Sequence, residues 1–143
     1  AMDYLDRSSN PDGGIRYQVS DRGYSRPAIT AAAIVCWFNA GEYESPRIDK
    51  ALSFVQPRLR PRRSDMASSS GHYFYGHLYL SQAMYLSGDD AWHEYFPSMS
   101  SVLMQLQRTD GSWDGDMVGP VYGTSVALII LQLPYKNLPI MQR

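Results

Sequence analysis

The sequence has few of the features that would point directly to a function. It contains one cysteine, Cys36, which excludes an intramolecular disulfide and argues against a cysteine-based zinc site. Cys36 lies in the apolar stretch AAAIVCWF, so we expect a buried and unreactive thiol. The 13 basic and 14 acidic side chains leave a formal charge of −1, so the chain has no strong field of one sign to attract nucleic acid or anionic lipid.

Long apolar runs are also missing. The longest, VALIILQLP, is far shorter than the ~20 residues of a transmembrane helix, which predicts no membrane span. The opening AMDYLDRSSN has neither the basic start nor the apolar run of a secretory signal. Because AMDYL resembles the middle of an amphipathic pattern, we expect a piece of a longer chain, and the compartment stays open.

Common catalytic and nucleotide-binding motifs do not occur. The sequence has no Gly-x-Ser-x-Gly, no phosphate loop and no Gly-x-Gly-x-x-Gly. The run RLRPRRSD contains four arginines, namely Arg58, Arg60, Arg62 and Arg63. Two prolines, a serine tract and the lack of interleaved aromatics favour a solvated loop over a nucleic-acid site, and salt-sensitive retention on heparin would contradict that interpretation.

What is present is enough apolar material for one folded domain spanning residues 1–143. Hydrophobic residues make up 44% of the chain and aromatic residues 13%, with 11 tyrosines among them. A chain of this size can bury a core without a disulfide or a structural metal.

The chain repeats itself in units of about 50 residues. Four positions of the third unit, Leu103, Gln107, Gly111 and Trp113, align with Leu5, Ser9, Gly13 and Ile15 of the first. A diverged middle copy keeps Leu52 and Gln56. The repeats run approximately over residues 1–44, 45–88 and 89–143.

Each unit is predicted to contain two helices. Apolar residues at intervals of three and four predict outer, amphipathic helices over residues 1–8, 46–59 and 91–106. Ser45 caps the second of these, and Asp89 or Asp90 the third. The segments 28–40, 73–87 and 122–133 are apolar on nearly all sides, which predicts a buried inner layer of helices. Both VALIIL and AIVCWF are assigned to helices rather than strands because they align with the helical segment 79–86.

The loop that follows the third outer helix has the composition of a structural joint. Gln107 at a helix end can bond carbonyls left free there, or reach the N–H groups of a neighbouring helix. Gly111 permits a positive φ, as does Gly13 in the aligned loop, and Trp113 can bury a large ring. The alternative, a ligand-contacting loop, remains open.

Gln107, Gly111 and Trp113 resemble the QW repeat of squalene–hopene and oxidosqualene cyclases, whose α/α toroid is shared by protein prenyltransferase β subunits and the complement thioester domain. The closing LQLPYKNLPIMQR is similar to the end of predicted bacterial proteins with such repeats. The resemblance implies an all-α fold, an α/α toroid (terpenoid cyclase/protein prenyltransferase-like) fragment of about three helix-pair repeats. Because a partial ring leaves an apolar end, we expect this to be the C-terminal part of a longer chain, or to pair with a second copy of itself.

The resemblance does not extend to catalytic residues. The Asp-x-Asp-Asp acid of the cyclases is missing, and Asp12, Asp114 and Asp116 have the positions of turn residues. His72 lies where the prenyltransferases have a zinc-binding histidine, but its Asp and Cys partners are absent. We therefore predict no catalytic residue, no metal site and no cofactor in this segment.

In such toroids the N-termini of the inner helices surround a central cavity. That arrangement would place Tyr24, His72, Tyr73, Tyr75 and Tyr122 near its mouth, as candidates for contact with a hydrophobic or peptide-like ligand. The alternative is that these aromatics pack between units. We expect a non-catalytic α/α-repeat scaffold or binding module. The second hypothesis is part of a terpene cyclase or prenyltransferase-like enzyme whose catalytic residues lie outside this segment.

Overall fold

The structure, a computed structural model, describes residues 1–20, 23–68 and 72–137. The helices are α1 (Met2–Ser8), α2 (Pro27–Asn39), α3 (Pro46–Val55), α4 (Asp65–Ser68), α5 (Tyr73–Leu86), α6 (Asp89–Leu106) and α7 (Pro120–Gln132), followed by a 3₁₀ turn at Leu133–Tyr135. Across these ranges no strand forms, and an isolated bridge joins Ser9 to Ile15. The all-α fold class is therefore confirmed, including the assignment of VALIIL and AIVCWF to helices.

Several helix ends differ from the prediction by one to four residues, and two of these differences have a clear cause. The helix predicted over residues 46–59 ends at Val55, and the chain continues as turns in which the Leu59 N–H still bonds the Val55 carbonyl. The prediction that Asp89 or Asp90 caps α6 was wrong. Gly88, with a φ of 119°, occupies the N-cap, and both acids lie in the first helical turn. Negative side chains there interact favourably with the helix dipole.

The segment predicted as a solvated arginine and serine loop includes the short helix α4. Arg58 packs against the fold rather than extending into solvent, since its guanidinium lies 4.1 Å from the centre of the Phe54 ring. The end of the serine tract, residues 69–71, lies outside the described residues. So do residues 138–143 of the closing segment, on which part of the family resemblance depends.

The helices pack in two layers. Helix α5 lies between α2 and α7, while α3 packs against α2 and α6 packs against α5. Helices α3 and α6 lie on the same side of this row, because Gln56 just after α3 and Glu94 of α6 line one cavity of about 260 Å³. The row α2–α5–α7 therefore has one side covered by amphipathic helices.

The core fills the space between the two layers. Its largest fully buried side chains include Trp37, Phe74, Leu80, Met99, Leu103 and Ile130. Each such side chain contributes roughly 1.5–3 kcal/mol by leaving water. The hydrophobic stripes of α3 and α6 and the apolar composition of α2, α5 and α7 account for this arrangement.

The prediction that the apolar helices are buried on all sides was wrong for one face. Cys36 of α2 is exposed rather than buried, and Leu128 of α7 is exposed as well. Helix α2 packs mainly against α3 and α5, and α7 mainly against α5, so parts of both helices have no neighbour among the described residues and remain accessible. An apolar sequence alone does not reveal how many neighbours a helix has.

Candidate ligand-binding face

The loop after α6 and the loop after α1 close in the same way. In each, an aspartate Oδ1 accepts a hydrogen bond from the backbone N–H two residues later, at 3.0 Å for Asp110 with Ser112 and 3.0 Å for Asp12 with Gly14. The intervening Gly111 has a φ of 83°, and in the other loop Gly13 has a φ of 89°. Positive φ is accessible to glycine at little cost, which confirms the conformation predicted for the Asp-Gly turn.

Each loop is then attached to the first turns of an apolar helix. The Trp113 N–H donates to Oγ1 of Thr124 in α7 at 3.1 Å. The Ile15 N–H donates to Oγ1 of Thr30 in α2 at 2.8 Å. Both threonines thus hold a loop that arrives from the preceding helix.

The aromatic ring of the loop after α6, that of Trp113, is buried in the core. Trp113 is 3% exposed, as predicted, and its Nε1 donates to the Leu103 carbonyl at 2.7 Å. Gln107 has a local role instead of linking two helices, since its Nε2 donates to the Gly111 carbonyl at 3.0 Å and the side chain stays exposed. Gln107, Gly111, Trp113 and Gly13 therefore shape the two loops.

Asp116 provides a long-range connection that the sequence did not reveal. Its carboxylate oxygens accept hydrogen bonds from the backbone N–H groups of Phe74 at 3.0 Å and of Tyr75 at 3.3 Å. The N–H groups in the first turn of a helix have no acceptor within the helix, and negative charge is favourable at this end. Asp116 therefore supplies the acceptor that α5 itself cannot. The residue has a φ of 50°, which orients it in the turn. The sequence carries no signal for this contact because 41 or more positions separate the partners.

The side of the α2–α5–α7 row that faces away from α3 and α6 forms what we call the uncharged face. Its members are Cys36 and Asn39 of α2, Tyr75, Tyr79 and Gln82 of α5, and Tyr122 of α7. No Asp, Glu, Lys or Arg occurs anywhere in these three helices. The face is therefore defined by aromatic rings, amides and one thiol.

Two tyrosines of this face lie against each other, and a third is close enough to interact with them electrostatically. The ring centres of Tyr75 and Tyr79 are 5.0 Å apart in an edge-to-face arrangement, which is a favourable geometry for aromatic pairs. Tyr122 interacts electrostatically with both, and Tyr75 does so with Cys36. All three rings are partly exposed, so their free edges can contact a ligand.

The hydroxyl groups of the face are neutral donors. Partial burial raises the pKa of Tyr75, and the neighbouring Tyr79 raises it further. Burial also raises the pKa of Tyr122, with a further contribution from the negative charge of Asp116. Both phenols therefore stay protonated at neutral pH.

The structure brings together some of the five predicted ligand-binding residues and separates others. His72 is exposed at the N-cap of α5, with its ring 6.4 Å from that of Tyr75. Tyr73, however, is 1% exposed and belongs to the core. Tyr24 is 91% exposed and lies in a different, open cavity beside Asp12 and Arg58. His72, Tyr75 and Tyr122 thus remain as members or neighbours of the uncharged face.

The second histidine of α5 is buried in a polar cluster on the opposite side. His77 Nδ1 lies 2.9 Å from the Tyr95 hydroxyl, which is also 3.1 Å from Oγ of Ser81. Burial lowers the pKa of His77 to about 4, partly opposed by the Arg60 backbone and the Asp65 carboxylate. His77 is therefore neutral and structural at physiological pH. His93 is exposed on α6, as predicted.

Sequence reasoning missed Tyr79, Asn39 and Gln82. They line a pocket of about 210 Å³ between the helices. The available signal was the spacing of Tyr75, Tyr79 and Gln82 by four and three residues, which places them on one face of α5.

Residues 1–20, 23–68 and 72–137 lack the features of two further classes of site. No three His, Cys, Asp or Glu side chains in these ranges gather closely enough to hold a metal ion. In the same ranges, no helix combines the length and the apolar character needed to cross a bilayer.

Comparison of the chain with protein-family models, with curated proteins and with solved structures found no match.

Proposed function

We propose that this chain is a non-catalytic α/α-repeat module that binds an apolar or peptide-like ligand on its uncharged face. The observation that carries the proposal is the cluster of Tyr75, Tyr79 and Tyr122, partly exposed on three adjacent helices without a single charged side chain. Binding sites for small apolar ligands are lined mainly by aromatic and aliphatic groups, with a few polar atoms that fix orientation.

The side chains of the face are suited to contact with an apolar or peptide-like ligand. Tyrosine rings offer large apolar surfaces, and their neutral hydroxyl groups can donate to a carbonyl of a ligand or peptide. A surface of exposed aromatic rings without charge is typical of an interaction site.

The roles of the acidic residues support a non-catalytic function. Asp12, Asp110 and Asp116 each accept backbone hydrogen bonds that shape a turn or cap a helix. Such bonds stabilise the carboxylate form, and the pKa values of Asp12 and Asp110 are both lowered. A general acid needs a raised pKa instead.

The two matching loops support a repeat scaffold of the toroid type. The Asp12–Gly14 and Asp110–Ser112 turns, with their following bonds to a threonine, have equivalent donors and acceptors. In this proposal the helices α2, α5 and α7 form the inner layer of an incomplete ring. The uncharged face then lies on the concave side, where a ligand makes contact with several repeats at once.

The thiol of Cys36 gives a direct test, because it is exposed beside Tyr75. The rate of Cys36 alkylation by iodoacetamide is measured with and without 1-octanol as an apolar probe, and native mass spectrometry of the purified protein detects any retained molecule. We expect octanol to slow alkylation, and Tyr79→Ala to reduce this protection.

Tyr17→Ala is the matched control, since Tyr17 is 68% exposed in a loop and does not belong to the face. This variant should retain full protection by octanol. If octanol leaves the alkylation rate unchanged and no retained molecule is found, the face does not bind apolar ligands and the proposal is wrong.

A further inference from the structure

The pocket beside the tyrosine cluster lies where three helices end. Its lining consists of Val35 and Asn39 near the end of α2, Tyr79, Gln82, Tyr85 and Leu86 of α5, and Leu133, which directly follows α7. The pocket measures about 210 Å³. Because Tyr79 belongs both to the pocket and to the tyrosine cluster, the two form one continuous surface.

The amide oxygen atoms of the pocket are available as acceptors, while each amide nitrogen already donates one hydrogen bond to its own helix. Asn39 Nδ2 donates to the Val35 carbonyl at 2.9 Å, and Gln82 Nε2 donates to the Leu78 carbonyl at 3.0 Å. Within the part of the chain that the structure describes, neither amide oxygen accepts a hydrogen bond. Gln82 is only 9% exposed, yet its Oε1 is not among the fully buried polar atoms that lack a partner, so this oxygen is open to a donor that enters the pocket.

The helix dipoles add negative potential at the same place. The C-terminal end of an α-helix carries a partial negative charge of about half an elementary unit. Helices α2, α5 and α7 all end at this pocket, and none has a basic residue in its last turn. The lining itself contains no charged side chain. No positively charged side chain of the lining therefore balances the negative potential of the helix ends.

Resting on the proposed function, we propose that this pocket binds the ammonium group of a ligand whose apolar body lies across the tyrosines of the uncharged face. An ammonium group donates to the oxygen atoms of Asn39 and Gln82 and is attracted by the three helix ends. Tyrosine rings also attract cations through their faces. A carboxylate or phosphate group is repelled by the three helix ends.

Three probes with the same alkyl chain separate this inference from the proposed function. Binding of octylammonium, 1-octanol and octanoate to the whole chain is measured by isothermal titration calorimetry at neutral pH. We expect octylammonium to bind about tenfold more tightly than octanol, as expected for hydrogen bonds from a charged donor. Octanoate should bind more weakly than octanol.

Variants of the two amides locate the effect. Gln82→Met keeps the volume of the side chain and removes the acceptor, and Asn39→Leu does the same at an exposed position where folding is little affected. Each should reduce the ratio of octylammonium affinity to octanol affinity measured on the same variant. Gln105→Met, on an exposed position of α6, is the matched control and should change neither.

The outcomes distinguish the two proposals. If octanol binds and octylammonium binds no more tightly, the pocket does not select a cation and this inference is overturned, while the proposed function stands. If the preference exists but survives in both Gln82→Met and Asn39→Leu, the ammonium site lies elsewhere and the inference is also overturned. If none of the probes binds, both proposals fail.

Discussion

The carboxylate of Asp116 accepts a hydrogen bond from the backbone N–H of Phe74 at 3.0 Å, and so caps a helix from a turn 42 residues away. The same carboxylate accepts from the N–H of Tyr75, the next residue of α5. The turn before α7 is thereby joined to the N-terminus of α5. This contact positions the end of α5 from which Tyr75 projects into the uncharged face.

Removal of this cap should destabilise the fold. Asp116→Ala leaves two N–H groups of α5 without an acceptor, and we expect a loss of about 1–2 kcal/mol in the free energy of unfolding. The measurement is urea denaturation followed by circular dichroism. Asp114→Ala is the control, because Asp114 forms an exposed ion pair with Arg108 and should cost at most about 0.5 kcal/mol. Equal losses in the two variants would contradict a capping role.

The two threonines that anchor the matching loops should have comparable effects. Thr30→Val and Thr124→Val keep the side-chain shape but leave the N–H of Ile15 or Trp113 without its acceptor, at a cost of about 1–3 kcal/mol each. Thr30 should cost more, since it is fully buried and also donates to the Arg26 carbonyl. Thr109→Val, at an exposed loop position, is the control. A negligible effect of both anchor variants would argue against equivalent joints.

A close backbone contact makes a glycine pair essential. A Cβ atom on Gly123 would lie 2.5 Å from the Cα of Gly115, and backbone atoms on both sides leave no flexible group to move. We therefore expect Gly123→Ala to cost more than about 3 kcal/mol or to prevent folding. In Gly76→Ala, by contrast, the new methyl group meets side-chain atoms, namely the methyl groups of Leu59 at 3.2 Å and the Ala28 Cβ at 3.5 Å.

The Gly76→Ala variant is the control for the general effect of adding a methyl group. Alanine is favoured over glycine inside a helix by about 1 kcal/mol, which offsets a small shift of Leu59. Its stability should therefore stay within about 1 kcal/mol of the parent chain. Similar stabilities of the Gly76→Ala and Gly123→Ala variants would show that the loop can move away from α7.

The buried neutral His77 should make stability depend on pH. Its pKa is about 4 in the folded chain, compared with 6.5 when unfolded. As the pH falls below 6.5, the unfolded chain takes up a proton that the folded chain does not, so stability decreases until the pH reaches the folded pKa. Between pH 7 and pH 5 the expected loss from this residue is about 2 kcal/mol.

Urea denaturation at pH 7, 6 and 5 measures this loss, and variants assign it. His93→Gln changes an exposed residue and should show the same decrease as the parent chain. His77→Gln should be less stable at pH 7 but nearly independent of pH over this range. A decrease of the same size in His77→Gln would mean that other groups cause it.

Local pattern was sufficient to predict the helices and the form of the loops. The three- and four-residue spacing of apolar residues in α3 and α6, and the Asp-Gly pairs of the two turns, depend on residues close in sequence. The aromatic candidates were predicted less well. Tyr73 and Tyr75 are two positions apart on one helix, so they point in different directions, and only packing shows which one is buried.

The sequence by itself thus determined the all-α class, the approximate helix positions, the positive φ of Gly13 and Gly111, and the burial of Trp113, because each follows from short-range periodicity or from the properties of one residue type. Only the tertiary structure decided that Cys36 is exposed, that Asp116 caps α5, and that Asn39, Tyr79 and Gln82 share a pocket. These relationships join residues that are distant in the chain. They depend on which side of each helix meets a neighbour, and the apolar sequences of α2, α5 and α7 do not encode that direction locally.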